Sequence, residues 1–122
     1  MYVTEKEMKN ITKDSTTENL SIMLVENHAV LKDSLVDYLN ANLNDVHLIS
    51  VDSYGDAIFM ATSADPEIVI LDIHISLEEG HTAIRKIKRL KPTIKMIILT
   101  TYDIMEFNDS IEGAGANAVI LK

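Results

Sequence analysis

The residues with chemical reach in this sequence stand just after its short apolar runs. Glu26, Asn27 and His28 follow Ile22–Val25, and Thr100 and Thr101 follow Met96–Leu99. Asp72 closes the run Ile68–Leu71, with His74 two residues on, and Lys122 follows Ala118–Leu121. If the runs lie side by side in one sheet, two carboxylates, an amide oxygen, a hydroxyl and an ammonium group meet at one edge of it. Hard oxygen donors of this kind suit Mg²⁺, which takes few protein ligands and keeps several waters. A carboxylate beside a bound cation can attack phosphorus. A hydroxyl and a lysine can hold phosphoryl oxygens as charge shifts during transfer. The chemistry that these types allow is phosphorylation of a carboxylate, with Asp72 as the acceptor.

The elements that must position these residues can be read from the spacing. Five apolar runs, Ile22–Val25, Val46–Val51, Ile68–Leu71, Met96–Leu99 and Ala118–Leu121, start 24, 22, 28 and 22 residues apart. Each is β-branched or Leu/Met-rich and too short for a helix, as expected of strands buried on both faces. Between them the spacing turns helical. Leu31, Leu35, Tyr38 and Leu39 form one stripe, and Ala57, Ala61 and Ala64 mark the inner face of a weaker helix around Asp56–Ala64. Ile84, Ile87 and Leu90 mark a third helix, and Ile104, Phe107 and Ile111 a fourth. Pro66 and Pro92 stand where the second and third helices must stop. Strand and helix alternate, which predicts an α/β fold: a parallel sheet with helices on both faces and right-handed crossovers. In such sheets ligands bind beyond the carboxyl ends of the strands.

Composition narrows the function classes. The chain has 122 residues, 47% of them hydrophobic, and a net charge of −8, so nucleic-acid binding by this domain is disfavoured. With no Cys there is no disulfide scaffold, zinc ribbon or thiol catalysis. The apolar runs fall far short of the roughly 20 residues that span a bilayer, and MYVTEKEMKN carries no signal-peptide core. Nor is there a glycine-rich phosphate loop. The expectation is a cytoplasmic chain with a flexible leader over 1–20 and one domain over 21–122; a short helix through Met8 and Ile11 is the alternative for the leader.

The stretches LVENHAVLKDSL, VILDIHISLEEG, IILTTYD and GAGANAVILK, in that order, resemble a response regulator receiver domain of two-component signalling, with the LuxR-type DNA-binding regulators as the nearest subgroup. The resemblance covers Ser21–Lys122, and the intervals of 28 residues from Asp72 to Thr100 and 50 from Asp72 to Lys122 agree with it. It implies a flavodoxin-like, doubly wound five-stranded sheet of order 2-1-3-4-5. It makes Asp72 the phosphoacceptor for a sensor histidine kinase, Thr100 the switch hydroxyl, and Lys122 the partner of a phosphoryl oxygen. Glu26, Asn27 and Asp72, with the main-chain carbonyl of His74, would hold Mg²⁺, and Gly80 would open the third helix. The departures are Asn27 in place of an aspartate, Ser76 in place of a proline, and Val119 where the family has a switch aromatic, for which Tyr102 is a substitute. By the same resemblance the chain stops where a fifth helix would begin. A DNA-binding output domain would then be absent, and one side of the last strand would be uncovered unless the leader, a neighbouring chain (as in a homodimer) or a swapped element covers it.

Plainer roles stand beside these. Asn27 can cap the first helix, His28 fits packing around the site, and His47 and His81 fit structural or exposed positions. Arg85, Lys86, Lys88, Arg89 and Lys91 suit a helix C-terminus, or form a docking patch for an acidic partner. Two other functions compete: a phosphate-independent interaction module, and a phosphatase with an aspartyl nucleophile. The latter calls for an Asp two residues past Asp72, where His74 stands.

Overall fold

A computed structural model of the chain describes residues 20–73, 77–100 and 108–121. In chain order the elements are β1 (Leu20–Val25), α1 (Ala29–Asn42), β2 (Val46–Val51), α2 (Tyr54–Ser63), β3 (Ile68–Asp72), α3 (Leu77–Leu90), β4 (Lys95–Thr100), α4 (Asn108–Ala114) and β5 (Ala118–Leu121). All strand pairs are parallel, and the sheet order is β2-β1-β3-β4-β5. Each crossover carries a helix back over the sheet, as parallel neighbours require.

Side-chain alternation along the strands separates two cores. Leu20, Ile22 and Leu24 of β1, Ile68 and Ile70 of β3, and Ile97 and Leu99 of β4 face the side covered by α1 through Leu35, Val36 and Leu39. Met23, Val25, Val69, Leu71, Met96, Ile98 and Val119 face the other side. There they meet Ala57 and Ala61 of α2, Ala83, Ile84 and Ile87 of α3, and Ile111 of α4. Strand β3 is central and buried throughout. The small side chains of Ala57 and Ala61 let α2 lie close to the sheet, and its N-cap Ser53 accepts the Asp56 N–H at 3.1 Å.

Three expectations change. β2 is an edge strand whose inner residues are half-buried, with only Val51 fully so; among the described residues it pairs with β1 alone, so burial on both faces does not apply. Leu90 is 45% exposed rather than on the inner stripe, because six residues from Ile84 turn it about 120° off that face at ~100° per residue. Asn27 does not cap α1: the N-cap is His28, without a side-chain hydrogen bond. The segment read as a leader lies outside the described residues except for Leu20, which opens β1. On the α1 side of the last strands, Ile97 and Leu99 are buried and Ile120 is partly so.

The entry to β5 is held by one side-chain network. Asn117 Oδ1 accepts the Met96 N–H at 2.8 Å and the Lys88 ammonium at 2.9 Å, and the Asn117 N–H donates to the Met96 carbonyl at 2.8 Å. Lys88 also donates to the Ile94 carbonyl, and desolvation lowers its pKa from the usual lysine value. Gly115 packs on this lysine at φ +130°, where a Cβ would come within 2.6 Å of Lys88 Cγ. Asn117→Ala leaves the Met96 N–H at the start of β4 without its partner. We expect a loss of about 1–2 kcal/mol in urea unfolding, with an unchanged m-value.

Candidate functional site

The register brings the carboxyl ends of the strands level. Val25 pairs with Leu71, so Glu26 and Asp72 leave β1 and β3 at the same height. Asp72 pairs with Leu99, so Thr100 stands one step beyond it on β4. Asp72 and Glu26 are each 1% exposed, and Thr100 is fully buried. Acidic side chains are almost never buried this deeply without partners, which sets this edge apart from the rest of the surface.

Glu26 and Asp72 lie in a cleft of about 680 Å³ at this edge. Tyr54, Gly55 and Ile58 of α2 form one wall, and Glu78, Glu79, Thr82 and Ala83 of α3 the other; Asn27, Asp52 and Ser53 complete the lining. The backbone holds the buried residues tightly. The Glu26 N–H donates to the Val51 carbonyl at 3.1 Å, carrying the β1–β2 ladder one residue past the strand. Its Oε1 accepts the His28 N–H at 2.8 Å, which turns the carboxylate across its own loop. At Asp72 the main-chain carbonyl accepts the Tyr54 hydroxyl at 2.8 Å. The following Ile73 N–H donates to the Leu99 carbonyl at 3.0 Å. Asp52 is ion-paired with Lys32 of α1; because Asp52 is exposed, that pair contributes little to stability.

Of the residues expected at the site, the structure brings Glu26, Asn27 and Asp72 together around the cleft. Thr100 sits at the adjacent strand end but is not among the lining residues. His74, Ser76, Tyr102 and Lys122 lie outside the described residues. Gly80 does not open α3; it is the fourth residue of that helix. A Cβ there would meet Ile73 Cγ1 at 2.8 Å, so glycine lets α3 settle on the residue directly after Asp72. Val119 is 2% exposed within the core. His28 and His47 are exposed, while His81 Nε2 lies 3.0 Å from the Ser110 carbonyl and 3.1 Å from its hydroxyl, joining α3 to α4.

The donor set fits a hard divalent cation. Two buried carboxylates at one height, with a neutral amide oxygen at the mouth, are oxygen ligands that a small dication would hold together. Among the described residues no group of three or more His, Cys, Asp or Glu side chains is placed to hold a metal ion. Reading the sequence missed Asp52, Tyr54, Glu78 and Glu79 on the walls. Asp52 was within reach, since it follows β2 just as Glu26 follows β1; the wall positions of the others depend on how α2 and α3 pack.

Comparison with known proteins puts this arrangement in context. The profile of the family described as response regulator receiver domain matches residues 22–122. The response regulator protein VraR of Staphylococcus saprophyticus is 26% identical over 106 residues, which is 84% of this chain and 49% of that protein. The DNA-binding transcriptional activator DevR/DosR of Mycobacterium tuberculosis is 26% identical over 103 residues, 84% of this chain and 48% of its own length. The chain thus spans about half the length of the curated relatives it matches. Among solved structures, a LuxR-family two-component response regulator from an Aurantimonas species superposes with a TM-score of 0.75 at 21% identity, covering 85% of this chain and 74% of the other. A CheY-like response regulator receiver domain protein from Methanospirillum hungatei gives 0.72 at 24% identity, covering 85% and 82%. These two structures speak to the fold: the same open, parallel receiver sheet. Among the described residues no helix is long and apolar enough to cross a membrane. Since one family accounts for residues 22–122, nearly all of the alternating strand–helix region, the chain belongs to the response regulator receiver domain family.

Proposed function

We propose that the chain is a phosphorylation-controlled switch in which Asp72 takes a phosphoryl group from a histidine kinase. The observation that carries this reading is the pair of buried carboxylates, Asp72 and Glu26, level with each other on β3 and β1 and opening into one cleft. In the transfer an Asp72 carboxylate oxygen forms the new bond to phosphorus as the donor's phosphorus–nitrogen bond breaks. The departing imidazole keeps the electron pair. Glu26, Asn27, Asp72 and the main-chain carbonyl of His74 would hold Mg²⁺, which supplies positive charge to the phosphoryl oxygens when bound. Thr100 at the end of β4, with Lys122 after β5, would hold phosphoryl oxygens from the other side. A shift of Thr100 toward the new group would change the surface around β4, α4 and β5 that meets a partner. The chain itself turns over no substrate in this reading; it assists its own phosphorylation and dephosphorylation.

In this reading the domain works in the cytoplasm, as part of a transcription regulator whose DNA-binding output domain lies outside residues 21–122, with homodimers as one outcome of switching. Its own surface makes no nucleic-acid contact. A second reading, a phosphate-independent interaction module, draws on one observation: Val119 is packed into the core at 2% exposure where the resemblance places a mobile aromatic.

The test is intact-mass analysis after incubation with acetyl phosphate and Mg²⁺. We expect a single phosphoryl adduct that fails to form in excess EDTA and that maps to the peptide holding Asp72. No adduct under these conditions overturns the proposal. A partner whose affinity changes with beryllofluoride would exclude the phosphate-independent module.

A further inference from the structure

We propose that Tyr54 is a positioning residue for the Asp72 nucleophile, a role that rests on the phosphoacceptor reading above. The peptide unit after the nucleophile is held at both poles. Its carbonyl, from Asp72, accepts the Tyr54 hydroxyl at 2.8 Å, and its N–H, from Ile73, donates to the Leu99 carbonyl at 3.0 Å. The Ile73 side chain is fully buried and lies under the α3 backbone at Gly80. The dihedral angles on either side of the Asp72–Ile73 peptide are therefore held from α2, β4 and α3 together. They set the direction in which the Asp72 Cα–Cβ bond leaves the strand.

The Leu99 and Gly80 contacts belong to the sheet and its packing. The Tyr54 bond is different, because it crosses from another helix through a side chain. Tyr54 is the first residue of α2, directly after the Ser53 cap, and Ala57 and Ala61 bring that helix close enough for the phenol to reach the end of β3. Its ring forms part of the cleft wall next to Asp72. A phenol at this position joins the start of α2 to the main chain of the reacting residue. In-line attack on phosphorus is sensitive to the nucleophile's placement, and a displacement of around 1 Å can lower a rate by orders of magnitude.

Tyr54→Phe tests this, because it keeps the ring and removes only the donor. Phosphorylation is followed by mass against acetyl phosphate concentration in Mg²⁺, at a temperature where circular dichroism shows both proteins folded. We expect the limiting rate to fall about fivefold, with the half-saturating concentration unchanged, because the loss is one of geometry. In the unphosphorylated protein the Asp72 carbonyl ¹³C resonance should move upfield as its hydrogen bond is lost. A merely structural tyrosine would lower the melting temperature and leave the limiting rate alone. If the wild type is labelled and Tyr54→Phe reaches the same limiting rate, the positioning role falls and the phosphoacceptor reading stands. If the wild type takes no adduct, both fall, and the ¹³C measurement still reports whether the bond exists.

Discussion

Asp72→Asn should take up no phosphoryl group from acetyl phosphate and Mg²⁺, a loss of at least about a thousandfold in labelling rate. The amide has nearly the same shape as the carboxylate, so the β3 register, the Tyr54 bond to the main-chain carbonyl and the Gly80–Ile73 contact all persist. What it lacks is the anionic oxygen that, in the proposed transfer, attacks phosphorus. The variant should also unfold at or above the wild-type temperature. It replaces one of two carboxylates buried at the same height on adjacent strands, and burying charge is costly even when it is partnered. Loss of labelling with retained stability separates chemistry from folding. An adduct on Asp72→Asn above about one percent of wild type would place the acceptor elsewhere, and Glu26 is then the first residue to examine.

Asn27→Asp should tighten Mg²⁺ binding about tenfold. Asn27 is exposed at the mouth of the cleft that Glu26 and Asp72 line. Adding a unit of negative charge ~4 Å from a cation is worth about 4 kcal/mol per cation charge at an effective dielectric constant of about 20. Solvent at an exposed position screens most of this, and about 1.4 kcal/mol corresponds to the tenfold change. Calorimetric titration with MgCl₂ measures it, and the gain should shrink as salt is raised. Unchanged affinity would remove Asn27 from the proposed metal ligands. Glu26→Gln should move affinity the other way by a similar factor, provided its amide oxygen still accepts the His28 N–H.

The contrast between these two neighbours shows where reading the sequence reached and where it stopped. Glu26 and Asn27 are adjacent in the chain and equally plausible ligands by type. In the fold Glu26 is buried and fastened to the His28 N–H, while Asn27 faces solvent. Nothing in two consecutive residue types reveals that difference, because it depends on how β2 and α2 close over the end of β1. Leu90 gives the same lesson: its type fitted the apolar stripe, but its angle around α3 put it outside. Tyr54 gives it again, for its phenol finds the Asp72 carbonyl 18 residues away.

What the sequence by itself determined is the alternation of five short apolar runs with helical spacing, and a carboxylate at the end of the third run. From that follow a parallel sheet, helices on both faces and a candidate site at the carboxyl edge, because backbone hydrogen bonding and burial leave few other ways to fold such a pattern. What only the tertiary structure decided is which polar groups share the cleft and how the main chain at Asp72 is held. Register set Glu26 level with Asp72, and the close approach of α2 brought Tyr54 onto the Asp72 main chain. These are contacts between residues distant in sequence. Local periodicity places residues on faces, whereas distances across the sheet are settled only when the helices pack.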